Sequence, residues 1–339
     1  MKTIVYSRDF EELEIRPQPT IEEYRRLIAE EIHSRLTQPE SLLERPCPGC
    51  KGNESVLAFE KYGLNYMQCA ACGSVFVSPC PSDALLTEFY RESRAARFWR
   101  ESLASRTLET RRKKIYGPLA EWISGVIDRH YPDAGTAIDV GYHSQLLVEE
   151  LSSKWAFERV FVTNPAADIE CRNLRSRGVE LRPTPLAQVS QFGPADVVLS
   201  IDILNCVSDT DTVFQSARSS LVPGGLLMMT ALSISGFDLQ VLWEHSSNIY
   251  PPDRLNLFSS EGLVGAVQRH GFQLLEFSTP GMFDVENVRR ALTNNPDLNC
   301  ARFVRYLVMN RDADALHDFQ EFLQRNRLSS FVRLALRKV

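Results

Sequence analysis

Residues 136–147, TAIDVGYHSQLL, decide how the rest of the chain is read. Thr136 to Val140 is a short apolar run of strand length. It ends in Asp139-Val140-Gly141 and gives way to a helical pattern through Leu146, Leu147, Val148 and Leu151. A strand that turns at a glycine into a helix offers close backbone approach and unbonded N–H groups at one point. After Gly141 the loop runs Tyr142, His143, Ser144, Gln145 with no further glycine. The stretch therefore predicts a ligand-binding strand–turn–helix with a crowded loop.

Outward from this stretch, strands and helices alternate. Strands are expected at Arg159–Thr163, Val179–Leu181, Ala195–Ile201, Leu226–Ala231, Phe272–Ser278 and Phe331–Leu336. Helices are expected at 167–176, Asp209–Leu221 and Ser260–His270, with further helical segments to about Gln324. Such alternation implies a mainly parallel sheet wrapped by helices. ADVVLSI (195–201) is apolar enough for a central strand. Asp139 and Asp202 fall at strand C-termini, where open α/β sheets bind ligands.

Before residue 133 the character differs. Thr20 reads as a helix start, followed by Ile21, Tyr24, Leu27, Ile28 and Ile32 at helical spacing. Cys47-Pro-Gly-Cys50 and Cys69-Ala-Ala-Cys72 are two CxxC pairs separated by eighteen residues able to form a hairpin. Two such pairs offer four thiolates to one tetrahedral ion and leave no open position, the pattern of structural rather than catalytic zinc. Cys80, Cys171, Cys206 and Cys300 have no partner by spacing and read as small apolar residues. Residues 82–130 read as helix, capped by Ser82 and Asp83, with Arg111 to Lys114 as a solvated basic face. The expected organisation is an N-terminal helical segment (1–45), a zinc ribbon (46–81), a helical linker (82–132) and an α/β domain (133–339).

The 339 residues carry a net charge of −5 and a pI near 5.8, which argues against a general nucleic-acid binder. No apolar run has the length of a membrane span, and the first residues lack the apolar core of a signal peptide. A reducing, cytoplasmic setting is the expectation.

IDVG (138–141), ADVVLSIDIL (195–204), LVPGGLLMMT (221–230) and RHGFQLLEF (269–277) resemble class I S-adenosylmethionine-dependent methyltransferases. With the cysteine pairs, SPCPS (78–82), PPDRLNLFSSEGL (251–263) and STPGMFDVENV (278–288), the chain is similar to zinc-ribbon-bearing methyltransferases of sugar and surface-polysaccharide pathways. The resemblance implies a Rossmann-like α/β fold of seven strands, the last antiparallel, behind a four-cysteine ribbon. It also implies S-adenosylmethionine as cofactor and a small-molecule or nucleotide-sugar substrate.

The departures from that family pattern fall at the site. Gly141 alone remains of the GxGxG loop, with His143 and Gln145 in later glycine places. Asn164 stands where an acidic residue holds the ribose, and Asn205 and Cys206 replace a Glu-His pair after Asp202. Asp253 and Arg254 stand where Glu-His is usual. On this reading Asp139, Gly141, Asn164 and Asp202 hold the cofactor, and His245, Tyr250 and Glu244 are the acid–base candidates. Arg254 is a candidate for a substrate phosphate or carboxylate. Two outcomes stay open: a methyltransferase, or a methyltransferase-like binding or scaffold protein with a protein partner.

Overall fold

A computed structural model describes residues 11–38, 41–141, 145–163 and 178–339. The chain begins with α1 (Gln18–Arg35), which starts after Pro17 with Pro19 in its first turn; Thr20 thus lies inside the helix. Proline suits that first turn because the N–H it lacks has no partner there anyway. Ile21, Tyr24, Leu27, Ile28 and Ile32 are buried on one face.

Next come β1 (Leu42–Leu43), β2 (Ser55–Lys61), β3 (Leu64–Cys69), β4 (Val75–Val77) and β5 (Cys80–Pro81). The hairpin foreseen between the cysteine pairs is β2–β3, and β1 pairs with β5. The helical region is broken into α2 (Asp83–Glu92), α3 (Arg94–Phe98), α4 (Leu108–Arg111) and α5 (Gly117–His130), with wider π-helical turns at Trp99–Ala104 and Arg112–Tyr116. Ser93 causes the first break: its backbone is extended and its Oγ accepts from the Ala96 N–H at 3.0 Å, restarting the helix.

The alternating part is β6 (Thr136–Asp139), α6 (Gln145–Lys154), β7 (Arg159–Val162), β8 (Val179–Leu181), β9 (Ala195–Ile201), α7 (Thr210–Ser220), β10 (Leu221–Leu232), α8 (Phe237–Leu242), β11 (Asn256–Leu257), α9 (Ser260–Arg269), β12 (Phe272–Ser278), α10 (Asp284–Asn294), α11 (Arg302–Asn310), α12 (Ala313–Arg325) and β13 (Phe331–Lys338). The helix expected at 167–176 lies outside the described residues. Pro223-Gly224-Gly225 falls within β10, where the register with β9 shifts between Leu221 and Leu226.

The order across the large sheet is β12-β13-β10-β9-β6-β7-β8. β8, β7, β6, β9 and β10 run parallel, and β13 lies antiparallel between β10 and β12. Strand order reverses at β6, with β7 on one side and β9 on the other. That is the switch point at which open α/β sheets leave a crevice for a ligand. Two apolar cores cover the two sheet faces, one under α7 and α9 and the other under α5 and α6.

The cysteine hairpin is joined to this layer. β11, from the long connection after β10, pairs antiparallel with β4 and completes the sheet β11-β4-β3-β2. A knuckle of the hairpin also presses on α9. A Cβ on Gly262 would stand 2.3 Å from Ser74 Oγ, so only glycine allows this approach.

Candidate functional site

Asp139 ends β6 in a fully buried position. Its Oδ1 accepts from the Gly141 N–H at 2.9 Å, so the carboxylate fixes the turn that follows the strand. Asp202, at the end of the neighbouring β9, is exposed and has φ +59°, in the left-handed region. Thr230 Oγ1 holds it there, accepting from the Asp202 N–H at 3.0 Å and donating to its Oδ1 at 2.8 Å. A non-glycine residue in that region is strained, and such strain gathers at ligand sites. Tyr116 lies within electrostatic reach of both carboxylates; burial raises its pKa, and Asp202 and Asp139 raise it further. His143 and Asn164 lie outside the described residues, as does the side chain of Gln145.

Two of the departures have structural explanations. Asn205 is buried; its Nδ2 donates to the carbonyls of Leu232 (2.9 Å) and Asn256 (2.5 Å), and its Oδ1 accepts from the Leu232 N–H at 2.8 Å. A carboxylate cannot donate, so an amide is what this knot of backbone requires. Asp253 accepts from the hydroxyls of Tyr24 and Tyr90, each at 3.0 Å, which places it as a clasp between α1, α2 and the long connection.

Tyr250 is buried at 3% exposure, edge-on to Tyr24. Arg16, Arg25, Arg111 and Arg254 all lie within electrostatic reach of it. Burial depresses the pKa of Arg25 and Arg111. Burial opposes the charge of Arg16 and Arg254 as well, but Tyr250 and nearby carboxylates more than compensate, and their pKa values rise. Arg16 bonds to Glu12 Oε1 at 2.8 Å and Asn248 Oδ1 at 3.0 Å. Arg111 bonds to the Ile15 carbonyl at 2.9 Å and lies over the Trp99 ring.

The run from Arg111 to Lys114 is therefore not simply a solvated face. Arg111 turns inward, Arg112 pairs with Glu149 (2.6 Å) and Glu150 (3.0 Å), and Lys114 pairs with Glu14. Glu244 and His245 sit apart from Tyr250 in exposure, on a 3-10 turn with side chains 45% and 55% accessible and 3.7 Å apart. His245 lines a cleft of about 280 Å³ that also takes in Arg16, Arg25 and Arg290.

Sequence reading missed the contribution of α1 and its approach, which supply Arg25 and Arg16. One signal was available for Arg25. It shares the helical stripe of Ile21, Ile28 and Ile32, so it is a charge on an otherwise apolar face.

At the far end of the hairpin, the Sγ atoms of Cys47, Cys50, Cys69 and Cys72 all lie within 4.8 Å of one another. Cys47 and Cys72 approach to 3.6 Å, Cys50 and Cys69 to 3.4 Å. Four sulfurs at about 2.3 Å from a tetrahedral ion stand about 3.8 Å apart, so the set fits a metal ion. Burial pushes the Cys47 thiol up. It opposes ionisation of Cys69 too, but the N–H groups of Cys72 and Ala71 and the neighbouring thiols bring that group down to about 7. Cys80 and Cys206 are buried free thiols and Cys300 is a half-buried one, while Cys171 lies outside the described residues.

Sheet order, strand-end carboxylates and the Pro-Gly-Gly bulge define a methyltransferase architecture. A family model described as a methyltransferase domain matches residues 92–276, more than half of the chain, and the chain belongs to that family. No curated protein sequence matches it.

Among solved structures, the chain is similar to the 1,6-didemethyltoxoflavin-N1-methyltransferase of Burkholderia thailandensis, solved with bound 1,6-didemethyltoxoflavin and S-adenosylhomocysteine. Identity is 12%, coverage 84% of this chain and 99% of that one, and TM-score 0.47. The N-methyltransferase NodS of Bradyrhizobium japonicum WM9 is 11% identical over 67% of this chain and 96% of its own, with TM-score 0.39. The [4+2]-cyclase SpnF is 16% identical over 66% and 80%, with TM-score 0.40. None of these likenesses bears on what this chain binds.

Proposed function

We propose that this chain is an S-adenosylmethionine-dependent methyltransferase acting on a sugar or nucleotide-linked sugar, with a structural zinc ion on Cys47, Cys50, Cys69 and Cys72. One observation carries the reading. Two strand-end carboxylates, Asp139 and Asp202, flank the switch point of a methyltransferase-family sheet, and Arg111 lies within reach both of Tyr116, beside those carboxylates, and of Tyr250. The described residues fit the cofactor in charge, since carboxylates complement an α-amino group and a sulfonium. When bound, S-adenosylmethionine supplies an electrophilic methyl group.

The chain's own residues have three tasks. Asp139 orders the Gly141 turn, Asp202 and Thr230 hold the strand end open to ligand, and the α1 segment shields Tyr250 from bulk water. Tyr250 is our choice for the proton-handling group at the acceptor, because it is buried among the arginines; His245, at the cleft, is the second candidate and Glu244 the third. Four thiolates fill a tetrahedral ion's coordination, so the zinc has a structural task. Among the described residues no helix is long and apolar enough to cross a membrane.

Calorimetric titration of the zinc-loaded protein with S-adenosylmethionine and S-adenosylhomocysteine tests the reading. The expected result is a Kd in the micromolar range, about 8 kcal/mol of affinity, weakened at least about tenfold in Asp139→Ala. A well-folded protein that binds neither compound at about 1 mM ends it. Elemental analysis is expected to return one zinc per chain, lost in Cys47→Ser.

A further inference from the structure

Between β12 and β13 the chain builds a small helical layer with an apolar core of its own, in which Val288 of α10, Val308 of α11 and Leu316 of α12 meet. α11 closes that core from one side, and its Val308 is fully buried. Its other side is apolar as well. Phe303, Tyr306 and Met309 are 72%, 56% and 39% exposed, and their spacing of three puts them on one outward face of the helix. A helix that is apolar on both sides belongs in an interior. Among the described residues nothing covers this face.

Area and charge say what fits there. The three side chains leave about 300 Å² of apolar surface open, given that a whole aromatic side chain offers roughly 150–250 Å². A stable interface takes about 800 Å² from each partner, of which about two thirds is apolar in homodimers. The stripe supplies about half of that apolar share before half-buried Leu307 beside it is added. It is also centred on Tyr306, with one large apolar residue three positions to either side, so it reads alike in both directions. Two copies of α11 laid antiparallel about a two-fold axis set Tyr306 against Tyr306 and Phe303 against Met309, a favourable sulfur–aromatic pairing. Arg302 is exposed at the N-terminal end of the stripe; past the C-terminal end come exposed Asp312 and Asp314, one of them offset by Arg311. The antiparallel pair brings each Arg302 to the acidic end and negative pole of the opposite helix, whereas a parallel pair would join like ends. An anionic lipid surface fits less well, because Asp312, Asp314 and Asp318 flank the face and the chain carries a net charge of −5.

We propose that the outer face of α11 is the docking surface for a second copy of this chain, in an antiparallel pair centred on Tyr306. α11 shares its core with α10, whose Asn287, Arg290 and Asn294 line the cleft of about 280 Å³. Pairing therefore backs one wall of that cleft. It owes nothing to the methyltransferase reading.

The test is sedimentation velocity on the full-length, zinc-loaded protein from about 1 to about 100 μM, the range in which a modest interface titrates. A reversible shift from the 38.5 kDa chain to twice that mass is expected. Tyr306→Glu, which sets two carboxylates face to face at the axis, and Phe303→Ser are each expected to weaken the dimer at least about thirtyfold, the size of an interface hot spot. Both side chains are exposed, so circular dichroism and zinc content are expected to stay as in the wild type. Under mild oxidation in a Cys300→Ser background, Tyr306→Cys is expected to cross-link to itself, and Phe303→Cys to cross-link mainly to Met309→Cys.

A wild-type chain that stays monomeric at about 100 μM overturns the pairing, as does a dimer left unchanged by folded Tyr306→Glu and Phe303→Ser. Phe303→Cys that cross-links to itself and not to Met309→Cys overturns the antiparallel arrangement. Vesicles of phosphatidylcholine and phosphatidylglycerol are the second arm. A chain that is monomeric in solution, sediments with those vesicles and loses that property in Phe303→Ser gives the face to a membrane and overturns the inference.

Discussion

Arg45 donates from Nη2 to the Leu255 carbonyl at 3.1 Å, joining residues 210 positions apart. Its Nη1 reaches the Ser208 carbonyl at 2.7 Å and its Nε the Val77 carbonyl at 2.8 Å. One side chain thus fastens the cysteine hairpin to the loop after β9 and to the connection that carries Tyr250. Arg45→Ala would strand three carbonyls, and we expect about 2–4 kcal/mol of lost stability in urea denaturation. S-adenosylhomocysteine affinity is expected to fall as well, because both loops border the site.

Metal removal should be felt at the same place. β11 pairs with β4, and the Val77 N–H donates to the Leu255 carbonyl at 2.8 Å. Without an ion, four clustered thiols lose what holds them together. Chelation is expected to lower the melting temperature and to raise the protease sensitivity of residues 246–258, with recovery on adding zinc. Unchanged proteolysis there would show that the hairpin and the connection are uncoupled.

Placing a glutamate at position 205 is expected to harm the protein. Asn205→Glu removes the donor to the Leu232 and Asn256 carbonyls and buries a carboxylate against them. A loss of about 3 kcal/mol is expected in urea denaturation. Asn205→Asp, which keeps the side chain's length but lacks the donor, should destabilise in the same direction. A neutral result would mean that the amide is dispensable.

A buried acid sets a pH dependence. Burial, with the Asp284 carboxylate facing it, pushes the Asp238 carboxyl up to about 8. Its Oδ2 accepts from Asn287 Nδ2 at 2.8 Å and lies near Asn248 Nδ2 at 3.5 Å. In the unfolded chain an aspartate ionises near pH 3.9. Between these values the folded state holds more protons than the unfolded one, so this pair's contribution to stability declines as pH rises from about 4 to about 8. Asp238→Asn is expected to flatten that decline, measured by urea denaturation at pH 5 and pH 8. An identical slope in the variant would remove the assignment.

The alternating α/β plan, the strand at 195–201, the strand at 272–278 and the four-cysteine cluster were legible in the sequence. Each depends on apolar periodicity or close spacing, which local chain geometry converts directly into structure. The break at Ser93 was not legible, because capping there competed with a run that otherwise reads as continuous helix.

The sequence also flagged residues 205, 253 and 254 as departures, but not what they do. Asn205 bonds to segments about 27 and 51 positions away, and Asp253 to tyrosines 163 and 229 positions away. The meeting of Arg16, Arg25, Arg111 and Arg254 around Tyr250 draws on the approach to α1, α1 itself, α4 and the connection before β11. No local pattern encodes such a meeting. Sequence alone determined most of the elements and the four-cysteine cluster, because those rest on neighbours along the chain. The tertiary structure decided the charge balance of the site, because that balance is set by which distant side chains burial forces together.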